Sequence, residues 1–393
     1  MTRRPADGRL AASDPGQQAG EGPPVASIRA TAYTIPTDAP EGDGTLTWDH
    51  TTLVLVEARA EDRTGIGYTY APRAAVTVIE ELLEPIVTGR SALDVEGAWM
   101  AMVAAVRNAG RRGLVGMAIS AVDTALWDLA GHLLDQPLTA IWGARSPWQD
   151  PDASPSSSGV EIYGSGGFTT YDDDRLRDQL HHWLEMGCDK VKIKIGESWG
   201  TCRERDLDRV RIAQQTIGED ASLFVDANGA YTTQQACLIG SFLDMLEVTW
   251  FEEPVSSEDY VGLATVRDHI RADVAAGEYA ADVADCQHLA PHIDCLQLDV
   301  TRCGGYTGWR HITADPAIAR IELSGHCAPH LSVPVAAGTP RLRHLEYFHD
   351  HVRIERLLLD GCADPTDGTL PPSGGAGHGL TFRTSDAEEY RVA

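Results

Sequence analysis

The sequence predicts an α/β protein: a βα barrel preceded by a smaller α+β domain. Three observations carry that prediction. Residues 160–346 repeat a rhythm of short apolar runs that end in polar residues, with helical stretches between them. Residues 25–148 read differently, with strand-like runs followed by helical patterns. The length of 393 residues suits one large barrel plus a second, smaller domain.

Residues 1–24 are rich in Gly, Pro, Ala and charge, carry no apolar segment of the kind a secretory signal needs, and read as a disordered tail. Thr52-Leu-Val-Leu-Val-Glu57 reads as a strand, and residues 118–130 place apolar side chains at helical spacing. Residues 146–159, rich in Pro, Ser and Asp, read as a linker. Eight strands are then expected, beginning at residues 160, 191, 222, 248, 274, 295, 321 and 342. Their spacing of roughly 20–30 residues fits βα units. The last units are short, so the final helix is expected to be reduced or absent. Residues 351–393, containing Pro371-Pro-Ser-Gly-Gly375, are expected to pack back on the first domain.

Composition excludes some functions. A formal net charge of -26 disfavours nucleic acid and anionic lipid, and requires local positive charge wherever an anionic substrate binds. No run of about 18 apolar residues is present, so no membrane span is expected. The eight cysteines form no CxxC pair and read as reduced thiols of a cytoplasmic protein. A chain of this size is expected to assemble as a homo-oligomer. Of its 32 lysines and arginines only three are lysines, Lys190, Lys192 and Lys194, all in one strand-like run. Lysine can lose its proton when its pKa is depressed and arginine cannot, so the placement suggests a task for lysine. Chance placement of a rare residue is the competing reading.

Lys194, Asp226, Glu252, Glu278, Asp299, His326 and Glu346 fall at or near the C-terminal ends of their strands. In a barrel those ends meet on one face, where active sites form. A single acidic residue after a strand is explained by helix capping; seven ionisable residues on successive strands are not. Asp226, Glu252 and Glu278 would repel one another without a cation, and all-oxygen ligation suits Mg2+, with Mn2+ as a substitute. Glu253 is expected to point away from Glu252 and to support the ligands indirectly. Asn228 either reaches the metal water or substrate, or only forms a turn with Gly229.

Lys192 and Lys194 share a strand face and are each expected to lower the other's pKa. Lys194, nearer the strand end, is the candidate base, and Lys192 tunes it. Lys190 is left structural. Asp299 beside His326 would fix the imidazole's tautomer and make it a second base or a general acid, with His330 a weaker rival. Glu346, if protonated, would hydrogen-bond a substrate carboxylate. These parts suit removal of the proton next to a metal-bound carboxylate.

Taken together, Val191-Lys-Ile-Lys194, Val225-Asp-Ala-Asn228, Trp250-Phe-Glu-Glu-Pro254, Gly277-Glu278, Asp299-Val-Thr-Arg-Cys-Gly-Gly-Tyr-Thr-Gly308, Ser324-Gly-His326 and His344-Leu-Glu346 resemble the enolase superfamily, mandelate racemase subgroup. Residues 118–143 resemble the helix that precedes the barrel in that family. The resemblance implies a modified TIM barrel, (β/α)7β, with an N-terminal α+β capping domain. It implies Asp226, Glu252 and Glu278 as metal ligands, and Lys194 and the His326–Asp299 pair as bases. Loops of the capping domain should close over the site, with residues 36–50 and 68–70 as candidates. Arg302 departs from the lysine often found in the subgroup, which bears on substrate contacts. Dehydration of a sugar acid (aldonate or aldarate) to a 2-keto-3-deoxy acid is the first reading. Racemisation or epimerisation of a 2-hydroxy acid and cycloisomerisation of a sugar lactone are the alternatives.

Overall fold

The computed structural model describes residues 22–143 and 159–392. The expected tail up to residue 21, and the expected linker apart from Gly159, lie outside them. Residues 22–24 belong to the first domain rather than to a tail, since Ala92 N donates to Pro23 O at 2.8 Å. The first domain opens with an antiparallel sheet of β1 (Ser27–Gly42), β2 (Thr47–Ala60) and β3 (Arg63–Tyr70). One of its faces is covered by the long helix Leu114–Leu134. By length and composition this helix could cross a membrane, but 78% of its apolar stretch is buried in the fold, as in the core helix of a globular domain.

All eight expected barrel strands form: β4 (Val160–Gly166), β5 (Lys190–Lys194), β6 (Ser222–Asp226), β7 (Trp250–Glu252), β8 (Asp273–Ala276), β9 (Cys295–Leu298), β10 (Glu322–Gly325) and β11 (Leu342–Phe348). They are parallel, and pairing of β11 with β4 closes the barrel. Strand register aligns the rim. Lys194 pairs with Asp226, and Asp226 with Glu252, so three ionisable side chains stand in one row there. Below them, Tyr163, Phe224, Trp250 and His344 pack ring against ring and floor the site. The last strand is followed by the helix His349–Leu358, where a reduced or absent helix is expected from sequence. Its apolar face, including Val352, Ile354 and Leu358, is buried.

The two parts are joined through buried polar groups. Ser120 Oγ of the long helix accepts from Gly304 N and Gly305 N at 3.0 and 3.1 Å, and Asp123 accepts from Thr307 N at 2.9 Å. The capping domain thereby supplies the N-terminal cap of the barrel helix Gly305–Thr313. Asp128 accepts from Ile66 N and His378 N, which ties the C-terminal segment to the same helix.

Burial raises the Asp123 carboxyl to about 7 against the pull of its Thr307 hydrogen bonds. An acid whose folded pKa exceeds its unfolded value contributes stability at low pH that is lost as pH rises through the folded value. Wild type should therefore lose stability relative to Asp123→Asn by about 1.4 kcal/mol per pH unit between roughly pH 4 and 7. Urea unfolding of both proteins across that range measures it, and parallel profiles would refute it.

Candidate active site

The rim gathers six buried carboxyl groups, Asp226, Glu252, Glu253, Glu278, Asp299 and Glu346. Facing them are Lys192, Lys194, Arg302 and His326. Lys192 is fully buried, with Nζ 2.7 Å from both Glu252 oxygens and 2.8 Å from Glu346 Oε1. Lys194 Nζ contacts Asp226 Oδ2 and lies 5.9 Å from the Phe348 ring centroid. Burial and Lys192 both lower the Lys194 pKa, yet Asp226, Glu252 and Glu346 outweigh them and hold the ammonium above its ordinary range. The expected lowering by a neighbouring lysine is thus present at Lys194 but overruled by the carboxylates. Lys190 sits apart from the site and pairs with Glu161 and Asp189.

Asp226, Glu252 and Glu278 each offer an oxygen within 4.8 Å of the others, and all three are buried. Glu278 reaches them because Gly277 takes φ +133 just beyond β8, where an added Cβ would lie 2.5 Å from Gln297 O. Three buried carboxylates converging as an all-oxygen donor set fit a hard divalent cation. Glu253 does not turn away as strand alternation predicts. β7 ends at Glu252, Glu253 takes φ +35, and its buried carboxyl is pushed up by desolvation and by Glu278, Asp226 and Glu252. Asn228 takes φ +46 in a turn, its N–H donates to Asp226 Oδ1 at 2.9 Å, and its own buried Oδ1 has no hydrogen-bond partner among the described residues.

On the far side of the barrel His326 Nδ1 lies 2.8 Å from Asp299 Oδ2, while Thr301 N and Oγ1 hold Asp299 Oδ1. His326 Nε2 faces Glu278 Oε2 at 3.2 Å. Arg302 links the two groups, with Nη1 3.0 Å from Glu278 Oε1 and Nε 3.4 Å from Asp299 Oδ2. The role suggested for a protonated Glu346 is not what its surroundings favour. Burial raises this carboxyl, but Lys192, His326 and Lys194 more than compensate and keep it ionised. It accepts from Ser165 Oγ and from Cys327 N. His330 is no rival to His326. It pairs with Glu355 at 2.6 Å, and Glu355 also accepts from Tyr68 OH.

The hairpin between β1 and β2 closes over the rim. Trp199 N donates to Gly44 O and Thr169 N to Gly42 O, both at 2.8 Å. An added Cβ on Gly44 would stand 2.5 Å from Ala227 O, so only glycine lets the tip come this near the loops after β5 and β6. Residues 68–70 form the end of β3 instead of a loop, with Tyr70 stacked on His351.

Residues 29–143 match the mandelate racemase/muconate lactonizing enzyme N-terminal domain, and residues 175–387 match the enolase C-terminal domain-like family. This chain belongs to the mandelate racemase/muconate lactonizing enzyme family of the enolase superfamily. It is 29% identical to a 3,6-anhydro-alpha-L-galactonate cycloisomerase from Streptomyces coelicolor over 360 residues, covering 87% of this chain and 94% of the relative. It is also 29% identical to an arabinonate dehydratase from Saccharolobus solfataricus, covering 86% and 91%. Among solved structures, a mandelate racemase/muconate lactonizing enzyme-like protein from Rubrobacter xylanophilus is 44% identical, with TM-score 0.87 and coverage of 94% and 100%. A racemase from Streptomyces coelicolor with bound magnesium is 27% identical, with TM-score 0.84 and the same coverage.

Within this family member, sequence reasoning missed Ser165, Phe348 and Cys327. Ser165 shares the parity of Tyr163 on β4, so a strand drawn two residues longer would have exposed it. Phe348 follows Glu346 at the same spacing on β11. Cys327 points into the site because its φ is +50, which the sequence does not signal.

Binding of Mg2+ at about 100 times its Kd should stabilise wild type by about 2.7 kcal/mol. Glu252→Gln should lose most of that gain. Thermal unfolding with and without Mg2+ measures both, and equal gains in the two proteins would exclude Glu252 as a ligand.

Proposed function

We propose that this chain removes the proton α to the carboxylate of a sugar acid, an aldonate or aldarate, and expels the β-hydroxyl to give a 2-keto-3-deoxy acid. One observation carries the reading: Lys194 and the His326–Asp299 pair stand on separate strands around the same carboxylate triad. Similarity to an arabinonate dehydratase supports the substrate class.

Mg2+, or Mn2+ in its place, held by Asp226, Glu252 and Glu278 would supply positive charge beside the deprotonated substrate and would compete with Lys194 for Asp226. Support for this cation is the donor set itself and the bound magnesium of the Streptomyces coelicolor racemase. The protein's own groups do the rest. Neutral Lys194 accepts the α-proton at Nζ. Lys192 stays charged between Glu252 and Glu346 and keeps the rim attractive to an anionic substrate. His326, held in orientation by Asp299, gives the proton at Nε2 to the departing hydroxyl, which leaves as water. The product enol then takes a proton at the β-carbon and gives up its hydroxyl proton to yield the keto acid. Arg302 holds Glu278 and Asp299 in place, and the hairpin tip at Gly44 shuts out bulk water.

Cycloisomerisation is the second reading, favoured by the 29% identity over nearly the whole of the Streptomyces coelicolor cycloisomerase. Proton NMR in D2O with Mg2+ and a panel of sugar acids, anhydro sugar acids and 2-hydroxy acids separates the possibilities. Dehydration removes the α-proton signal and adds 3-deoxy methylene signals. Cycloisomerisation gives a product of the same mass without water loss. Exchange of the α-proton alone marks a racemase or epimerase. With the substrate in hand, Lys194→Met and His326→Asn should each lower turnover by about 10²–10⁴-fold. Unchanged turnover in either would remove that residue from the reaction.

A further inference from the structure

Beside the carboxylate triad lies a second donor set of different chemistry. His326 Nε2, Cys327 Sγ and Glu346 Oε2 stand 3.4, 3.5 and 3.6 Å apart: nitrogen to sulfur, sulfur to oxygen, and nitrogen to oxygen. In a tetrahedral site with metal–nitrogen and metal–oxygen bonds of about 2.0–2.1 Å and a metal–sulfur bond of about 2.3 Å, ligand atoms are separated by about 3.3–3.6 Å. The three atoms therefore match one face of such a tetrahedron.

The backbone is bent to make this face. Cys327 and Ala328 are consecutive non-glycine residues at φ +50 and +40, a conformation that costs roughly 1–2 kcal/mol per residue. Cys327 N also anchors Glu346 Oε2 at 3.1 Å, which holds that oxygen beside the sulfur. Burial and Glu346 push the Cys327 thiol up. A thiolate, an imidazole and a carboxylate select zinc-like ions over the hard cation suited to Asp226, Glu252 and Glu278.

We propose that this chain binds a thiophilic divalent cation of the zinc class through His326, Cys327 and Glu346, and that the bound ion stops the reaction. Coordination forms the metal–sulfur bond and releases the thiol proton to solvent. The ion takes Nε2 of His326, the atom that delivers the proton, so the blocking half rests on the dehydration reading while the binding half does not.

The test titrates Mg2+-saturated enzyme with Cd2+, a zinc-class ion whose bond to a thiolate gives an ultraviolet charge-transfer band. Wild type should show one equivalent of band that Cys327→Ser lacks, read as the difference between the two proteins because Cys202, Cys237 and Cys362 are partly exposed. Cys327→Ala serves if the serine variant does not fold. Activity should fall in step with the band and return after chelation and fresh Mg2+. The Cd2+ concentration for half-inhibition should rise at least about tenfold in the variant, since even outer-shell changes cost about 10–100-fold in affinity. An identical band in wild type and both variants would overturn the site. Inhibition that excess Mg2+ abolishes would place Cd2+ on the carboxylate triad and overturn it equally. A full band with undiminished turnover would overturn the blocking half.

Discussion

Six carboxyl groups crowded into one end of a barrel repel one another, by about 4 kcal/mol for each ionised pair 4 Å apart at an effective dielectric of 20. The rest of the rim answers that repulsion. Lys192 spans Glu252 and Glu346, Lys194 holds Asp226, and Arg302 divides itself between Glu278 and Asp299. Burial first, and then Glu278, Asp226 and Glu252, push the Glu253 carboxyl up. Despite Lys192 and Lys194, burial and Asp226 push the Glu252 carboxyl up to about 8. A divalent cation on Asp226, Glu252 and Glu278 would relieve their mutual repulsion, and their oxygen donors suit one.

The capping domain helps to enclose this charge cluster. The long helix fixes the barrel helix that begins at Gly305 through Ser120 and Asp123, just beyond Asp299 and Arg302. The hairpin tip at Gly44 rests on the loops after β5 and β6, just beyond Lys194 and Asp226. The two contacts brace opposite sides of the barrel, so the cap does more than cover the site. It also fixes the helix that follows Asp299 and Arg302 and the loops that follow Lys194 and Asp226.

The barrel was legible because each strand ends where an apolar run meets a charge, and period-two reading brought Lys192, Lys194, Asp226 and Glu252 to one end. It failed where the backbone leaves the strand geometry that the period assumes. Glu253 enters the cluster through a positive φ immediately after β7, and Cys327 does the same beside His326. Neither residue is glycine or asparagine, so nothing in the local sequence announces a left-handed turn. The final helix, His349–Leu358, was missed for another reason. Its buried face is short and mixes polar residues, among them Asp350, His351 and Glu355, with Val352, Ile354 and Leu358. Protonation states were beyond reach as well, because they depend on distances between strands remote in sequence, such as Lys192 to Glu346.

The scarcity of lysine takes a sharper meaning from these contacts. Lys190 lies partly exposed between Glu161 and Asp189, where an arginine could also pair, so lysine is not reserved for proton transfer alone. Lys192 never needs to give up its proton. What its place demands is compactness, since one ammonium reaches both oxygens of Glu252, one of Glu346 and the Tyr163 hydroxyl within a sealed barrel. A planar guanidinium is too large to meet those acceptors from a single point. Only at Lys194 is acidity the property that distinguishes lysine from arginine. Its neighbour Lys192 and its burial already pull its pKa down, and Asp226 alone exceeds either neighbouring glutamate in holding it up. Whatever draws charge away from Asp226 would therefore lower the Lys194 pKa, so a cation on the carboxylate triad would favour the neutral amine that the proposed proton abstraction needs.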